Sequence, residues 1–285
     1  MGKQQLLSPR SLGYIAMAFV ALIIGVPIFW MLSGSLKSLN DIYNPNQWLP
    51  STFLWENYKE AWTTVPFGRF YINSFIITIA GAGLEIFCGV LCAYAFAFLR
   101  FPGKNILFMV VLASLMVPSQ VVIIPNFRFM AIHVQDWFNL SDNWVNTYQG
   151  VFLPGAATAF GTFLMRQGFM GLPKDVLDAA KVDGAGHIRT MVGVMLPMAK
   201  PIVVTFALIS VVSKWNEYLW PLIITNTLNM RPITVGLRFL MDAEGANQWG
   251  VIMAGTTFVV APMLIIYVFM QRFIIDGLTA GATKG

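Results

Sequence analysis

Long apolar runs separated by short polar segments dominate the pattern of this chain. Six of these runs, each of about 20 residues, are long enough to cross a hydrocarbon core of ~30 Å as helices. They lie near 13–34, 72–99, 105–125, 148–168, 201–224 and 250–272. The pattern therefore predicts an all-α integral membrane protein with six transmembrane helices.

Composition agrees with a bilayer environment. Hydrophobic residues make up 57% of the chain and charged residues only 11%, whereas about a quarter of an ordinary soluble domain is charged. The net charge is +5, but the basic residues are spread between the apolar blocks and form no single polar surface. We therefore expect the lipid bilayer as surroundings and no nucleic-acid partner.

The distribution of Lys and Arg predicts the topology. If the amino terminus is cytoplasmic, eleven of these residues fall on the cytoplasmic side, six fall outside, and Lys214 lies in the fifth span. Both termini are then cytoplasmic. The first apolar run is longer than the core of a typical signal peptide and no cleavage site follows it, so it is expected to remain as a span.

The boundaries expected from this pattern divide the chain into three parts. Residues 1–71 form the first transmembrane helix and an outer loop, residues 72–272 form a core with the other five spans, and residues 273–285 form a cytoplasmic tail.

The third inner loop, between Gly168 and Lys200, is long, polar and prone to form a helix. Within it, Pro173 is typical of a helix start and Gly184 of a helix end, so a short amphipathic helix is predicted on the cytoplasmic face. Small residues in this segment would let another surface approach the backbone, as in a partner's groove. An interfacial helix with no partner is the alternative.

A resemblance begins at Asp178-Ala179-Ala180 and continues at Asp183-Gly184-Ala185, followed by Leu196-Pro197. These residues resemble the cytoplasmic "EAA" loop of binding-protein-dependent ABC importer permeases. In that family the loop is a coupling helix that docks into the ATP-hydrolysing subunit. Asp178 stands where the family usually has Glu, which is a conservative change. The resemblance implies a type I ABC importer permease fold and a docking role for these six residues.

The resemblance extends over nearly the whole chain and is closest to the carbohydrate-uptake type. Similar runs are Ser35–Lys37, Asn57-Tyr58, Asn73-Ser74, Tyr94–Phe96, Trp215–Tyr218 and Pro221-Leu222. The tail from Gly277 is similar to that of the maltose-type inner subunit, and residues 160–166 and 215–221 most resemble permeases for glycerol 3-phosphate or glycerophosphodiesters.

The resemblance also implies partners and a location. These are a second permease subunit in a heterodimer, a dimer of ATP-binding subunits and an extracytoplasmic solute-binding protein, all at a bacterial inner membrane. ATP and Mg²⁺ would be held by the ATP-binding subunits, and this chain is expected to bind no cofactor.

Three ionisable residues fall inside predicted spans, where such residues usually face a cavity or a partner. Glu85 lies in the second span, and Lys214 and Glu217 lie in the fifth. The latter two are three residues apart and could form an ion pair on one helix face. Alternatively, Trp215, Asn216, Glu217 and Tyr218, with Glu85, line a path for a hydroxylated solute. Both interpretations stay open.

No G-x-x-x-x-G-K-[ST] segment occurs in the sequence, so ATP hydrolysis by a P-loop of this chain is excluded. We therefore predict a non-enzymatic permease subunit of an ATP-driven importer for a sugar or a glycerol-phosphate-type solute. An ion-coupled secondary transporter is the alternative, disfavoured because the spans show no obvious two-half symmetry and no paired broken helices. An intramembrane enzyme would need a nucleophile and base pair that the spans lack.

Overall fold

The computed structural model describes residues 9–134, 143–244 and 248–279, and no β-strand occurs in these ranges. The last residues of the predicted tail, 280–285, lie outside them. The α-helices are α1 (Pro9–Gly34), α2 (Leu39–Tyr43), α3 (Glu56–Thr64), α4 (Phe67–Phe98), α5 (Lys104–Ser114), α6 (Ser119–Arg128), α7 (Tyr148–Phe152), α8 (Ala159–Met170), α9 (Lys174–Val182), α10 (His187–Thr190), α11 (Leu196–Met198), α12 (Lys200–Asn216), α13 (Leu219–Ile224), α14 (Ile233–Glu244) and α15 (Trp249–Thr279). Two π-helical turns, Phe129–His133 and Met191–Met195, and two 3₁₀ turns, Leu153–Gly155 and Leu228–Met230, join some of them.

Three helices are long and apolar enough to cross a membrane singly. They are Ser11–Gly34 within α1, α4, and Trp249–Gln271 within α15, with mean hydropathies of 2.5, 2.1 and 2.2. Two bent pairs pass the same test together: Lys104–Ser114 with Ser119–Ile132, bent by 99°, and His187–Met198 with Lys200–Asn216, bent by 84°. By length and composition, the described residues thus supply three to five crossing elements.

Three of the six predicted spans are interrupted, so the expectation of one continuous helix is wrong for each of them. The third span bends between α5 and α6, the fourth contains a 3₁₀ turn before α8, and the fifth breaks between α12 and α13. Pro118, Pro154 and Pro221 stand at or beside these interruptions. Proline lacks a backbone N–H and its ring disfavours the preceding helical turn, which a count of apolar residues does not reveal.

The chain divides into two compact units. The N-terminal unit comprises residues Met1–Phe67 with Leu237–Pro262, and the core unit comprises Gly68–Gly236 with Met263–Gly285. The boundaries predicted at 71/72 and 272/273 stay predictions.

In the N-terminal unit, the loop after α1 is held by buried polar contacts. Lys37 is only 1% exposed; its ammonium lies 4.3 Å from the centre of the Trp30 ring and donates to the carbonyl of Gln47. Asp41 accepts hydrogen bonds from the backbone N–H and the hydroxyl of Ser51. These contacts satisfy charges that would be costly to bury alone, and the loop is therefore an ordered part of the unit.

In the core unit, α8 and α12 pack closely because α8 carries glycines at the contact. A Cβ added at Gly161 would lie 2.2 Å from the Phe206 ring, and one added at Gly168 would lie 2.8 Å from Ile202. Phe206 also belongs to a buried cluster with Tyr94, Met165, Phe169 and Leu177. This cluster joins the apolar helices to α9.

Candidate functional site

The predicted surface helix exists and is α9, Lys174–Val182. Pro173 stands at its N-cap, and Asp175 lies in its first turn, where a negative charge interacts favourably with the helix dipole. Lys181 lies in the last turn, where a positive charge is favourable for the same reason.

A Schellman motif ends this helix. The N–H of Ala185 donates to the carbonyl of Ala180 and the N–H of Gly184 donates to that of Lys181. Gly184 has φ of +74°, in the left-handed region that glycine adopts without a Cβ penalty. The prediction that Gly184 ends the helix is confirmed. The helix ends there because the backbone of Gly184 adopts the left-handed conformation.

The two faces of α9 differ sharply. Leu177 and Ala180 are buried against the core unit, whereas Val182 is 87% exposed. Among the six residues predicted to dock a partner, Asp178, Ala179, Asp183 and Gly184 are exposed, Ala185 is half-buried and Ala180 packs against its own chain. Their docking role stays a prediction.

Asp178 and Lys181 form an exposed ion pair on the outer face of α9, with Nζ 2.7 Å from Oδ1. The hydrogen bond from Lys181, together with its charge, holds the pKa of Asp178 below its ordinary value. The Asp178 carboxyl is therefore ionised at neutral pH.

A contact that the sequence did not reveal supports α9 from behind. The Tyr94 hydroxyl on α4 lies 3.2 Å from Nδ1 of His187, the first residue of α10. Tyr94 is 8% exposed and shares a buried cluster with Leu177 of α9. The two hydrogen-bonded residues are 93 positions apart in the sequence. Helix and strand periodicity relate only residues that are close in sequence, so they could not predict this contact.

The three ionisable residues predicted inside spans come together in the core unit. Lys214 Nζ lies 3.8 Å from Glu85 Oε2, and the Ser210 hydroxyl donates to the same oxygen at 2.6 Å. The alternative of a Lys214–Glu217 ion pair on one helix face is wrong, because α12 ends at Asn216 and Glu217 has an extended backbone, with φ −65° and ψ 126°. Lys214 acts electrostatically on Glu217, but its direct ion pair is with Glu85.

Glycines make room for the Lys214 side chain. A Cβ added at Gly155 would lie 2.3 Å from Nζ, and one at Gly81 would lie 3.4 Å from Cδ. The lysine side chain therefore runs along α4 and the 3₁₀ turn of the interrupted fourth span, and its head group reaches Glu85.

Two cavities of the core unit border the break in the fifth span. One, of about 490 Å³, is lined by Asn216, Glu217 and Tyr218 among others. The other, of about 380 Å³, is lined by Glu85, Lys214 and Glu217 among others. Glu217 borders both cavities.

Trp215 differs from its neighbours in the predicted pathway set. It is 2% exposed, and its ring packs edge-on against Phe75 at 5.2 Å and near Tyr71 at 6.3 Å. It borders neither of the two cavities. Four of the five predicted pathway residues thus line a cavity, and their role in translocation stays a prediction.

Metal ligands are not clustered in the structure: residues 9–134, 143–244 and 248–279 contain no group of three or more His, Cys, Asp or Glu that could hold a metal ion. Several apolar helices, a broken span beside two cavities with charged residues in their walls, and a surface helix packed on the core are together the features expected of a multi-pass membrane protein.

Comparison with known proteins gives the family. Residues 85–279 match the binding-protein-dependent transport system inner membrane component family. The chain is 34% identical over 272 residues to the sn-glycerol-3-phosphate transport system permease protein UgpE of Yersinia pestis, covering 91% of this chain and 94% of the relative. It is 31% identical over 276 residues to the protein of the same name in Brucella abortus, covering 94% and 95%.

Solved structures show the same fold. A chain of a bacterial ABC transporter involved in the import of the acidic polysaccharide alginate matches with a TM-score of 0.79 at 21% identity, over 94% of this chain and 99% of that one. A chain of the alginate transporter in complex with a pentasaccharide-bound periplasmic protein matches with a TM-score of 0.66 at 14% identity, over 93% and 96%.

This chain belongs to the family of inner-membrane components of binding-protein-dependent transport systems. It is a multi-pass permease subunit of an ABC importer, as the resemblance of its cytoplasmic loop implied.

Proposed function

We propose that this chain forms part of the path by which a sugar or a glycerol-phosphate-type solute crosses the inner membrane, after delivery by an extracytoplasmic binding protein. The relatives that match over nine-tenths of the chain are named for the transport of sn-glycerol 3-phosphate. The break at Glu217, which opens polar backbone and side chains onto two cavities, is the observation that supports a path here.

A second permease subunit, different from this chain, supplies the other half of the path. ATP and Mg²⁺ bind to a separate dimer of ATPase subunits, because this sequence has no P-loop. The exposed face of α9 docks into a groove of one ATPase subunit. With the α9 face on the cytoplasmic side, both termini of the chain are cytoplasmic.

Rigid packing behind α9 carries the motion. Leu177 seats the helix in the buried cluster of the core unit, Ala180 is buried on the same side of α9, and the Tyr94–His187 hydrogen bond attaches the following segment to α4. Closure of the ATPase dimer would therefore displace α4 with α9, because packed interiors transmit strain rather than absorb it. Displacement of α4 would in turn move Glu85 and its partner Lys214.

The experiment is uptake by proteoliposomes that contain the complex purified through a tag on this chain, with its binding protein outside. Accumulation that needs internal ATP and persists when proton and sodium gradients are collapsed supports the proposal. Accumulation that follows an ion gradient without ATP would contradict it and would support a secondary transporter.

A further inference from the structure

Acidic residues outnumber basic residues around the two cavities at the break of the fifth span. Of the residues that the structure describes, only Glu85, Lys214 and Glu217 are formally charged and line either cavity. Lys214 forms its direct ion pair with Glu85 and also acts electrostatically on Glu217. The Glu217 carboxylate makes no direct ion pair and no hydrogen bond with any residue that the structure describes.

The formal charges at the two cavities sum to −1, because one ammonium stands against two carboxylates. Two helix ends also border the larger cavity: the negative end of α12 at Asn216 and the positive end of α6 at Ser119. These two partial charges are of similar size and opposite sign and therefore roughly cancel. The formal charges of the side chains then set the net charge that a solute meets at the cavities.

The Lys214 side chain is also restricted in its movement by its close neighbours. The Lys214 side chain lies so close to Gly155 and Gly81 that a Cβ at either position would contact it. To contact an anionic solute, the Lys214 ammonium would have to break its ion pair with Glu85. The Glu85 carboxylate would then be unpaired inside the membrane, in addition to that of Glu217, and burying an unpaired charge costs free energy.

The remaining polar groups suit hydroxyls. Ser119, Asn126 and Tyr218 line the larger cavity with groups that both donate and accept. The indole of Trp220 donates to the carbonyls of Gly150 and Val151 at 3.1 and 3.0 Å, so its ring is fixed at the cavity wall. A carboxylate such as that of Glu217 only accepts, and a solute hydroxyl supplies the donor that it lacks.

We propose that Glu217 binds an uncharged, polyhydroxylated solute through hydroxyl-to-carboxylate hydrogen bonds, and that this chain's half of the path disfavours solutes bearing a phosphate or carboxylate. This inference rests on the proposed function and narrows it. It separates the chain from relatives named for sn-glycerol 3-phosphate.

The test uses the complete transporter in proteoliposomes with its binding protein. The outside solution is an equimolar mixture of sorbitol, trehalose and maltose with sorbitol 6-phosphate, trehalose 6-phosphate and sn-glycerol 3-phosphate, and ATP-dependent accumulation is measured by mass spectrometry. Neutral members are expected to accumulate at least about tenfold faster than anionic ones, as expected for one lost charge-assisted contact.

Two variants assign the selectivity to this chain. Glu217→Gln should lower neutral uptake about tenfold while ATPase activity persists, and Glu217→Lys should reduce the neutral-to-anionic ratio by at least a similar factor. Glu60→Gln changes a carboxylate in α3 that is not among the residues lining either cavity. It is the matched control and should behave as the native chain.

Faster uptake of the anionic members, ATP-driven transport that accumulates no neutral member, or identical uptake by Glu217→Gln and Glu60→Gln would overturn the inference. Failure of the proposed function looks different: no ATPase would co-purify and no uptake would depend on ATP.

Discussion

The hydroxyl of Tyr94 lies 3.2 Å from Nδ1 of His187, which joins the apolar helix α4 to the segment that immediately follows α9. Tyr94 is also packed in the cluster that buries Leu177 of α9. One buried aromatic residue thus contacts the cytoplasmic segment by a hydrogen bond and shares its apolar core. The position of α9 and the position of α4 are therefore mechanically linked.

Tyr94→Phe removes this hydrogen bond and keeps the ring in its cluster. A hydrogen bond of this kind contributes about 1 kcal/mol, so we expect solute transported per ATP hydrolysed to fall about threefold to fivefold with the complex still assembled. The ratio is measured in proteoliposomes by parallel uptake and phosphate release. Tyr58→Phe is the control, because it also removes a hydroxyl contact, 2.7 Å from Ser35, but in the N-terminal unit. Equal ratios in the two variants would contradict the link.

Gly184→Val should uncouple hydrolysis from uptake without preventing membrane insertion. The φ of +74° at Gly184 disfavours a β-branched residue, so the end of α9 must rearrange. Gly186→Val is the matched control: Gly186 has φ −69°, and both positions have open space around an added Cβ. Hydrogen exchange of the α9 amides should increase by about tenfold in the first variant only. A normal uptake-to-ATP ratio in Gly184→Val at normal expression would count against the docking role.

The Glu85–Lys214 ion pair should show a large coupling energy. The two side chains are 8% and 12% exposed, so Lys214→Met leaves a buried carboxylate unpaired and should destabilise the subunit by about 3 kcal/mol. The double variant with Glu85→Gln should be less destabilised than the sum of the two single variants. Thermal unfolding in detergent measures the cycle. A larger coupling energy between Lys214 and Glu217 than between Lys214 and Glu85 would show that Glu85 is not the partner of Lys214.

Acid should loosen the loop after α1. Hydrogen bonds from Ser51 hold the pKa of Asp41 below its ordinary value. A depressed carboxyl pKa gives stability that is present above the unfolded pKa and is lost as the pH falls through the folded one. We therefore expect the loop to resist proteolysis down to about pH 4 and to lose resistance below it.

Ser51→Ala should move this loss to higher pH, because the pKa of Asp41 then rises toward its ordinary value. Thr52→Ala removes a neighbouring exposed hydroxyl and is the control. A ¹³C titration of the Asp41 carboxyl reports the shift directly. Identical titrations in both variants would show that Ser51 does not set the pKa.

Much of the fold followed from the sequence because apolar length is a strong constraint in a bilayer. α1, α4 and α15 agree with the predicted spans, and α9 agrees with the segment between Pro173 and Gly184. The interruptions of the other spans did not follow. Proline inside an apolar run is compatible with either a kinked span or a break, and neighbouring helices decide between them.

The candidate site followed only in part, for a related reason. Local spacing allows an ion pair of Lys214 with Glu217 as one of two alternatives, but the direct partner of Lys214 is Glu85, which also accepts from Ser210, 125 residues away. The sequence groups Trp215 with its polar neighbours because consecutive residues of one continuous helix would share one environment. Once the helix ends at Asn216, the run divides between the buried interior and the cavities.

The most direct test of the account is a photo-crosslink from the exposed face of α9. A photoreactive amino acid replaces Val182, which is 87% exposed, in the full chain within its native membrane, with Leu49 in the loop after α1 as the control position. After illumination, cross-linked partners are identified by mass spectrometry. The account predicts a cross-link from position 182 to a P-loop ATPase subunit and none from position 49. Cross-links from position 182 to lipid alone, in membranes where the ATPase is present, would contradict it.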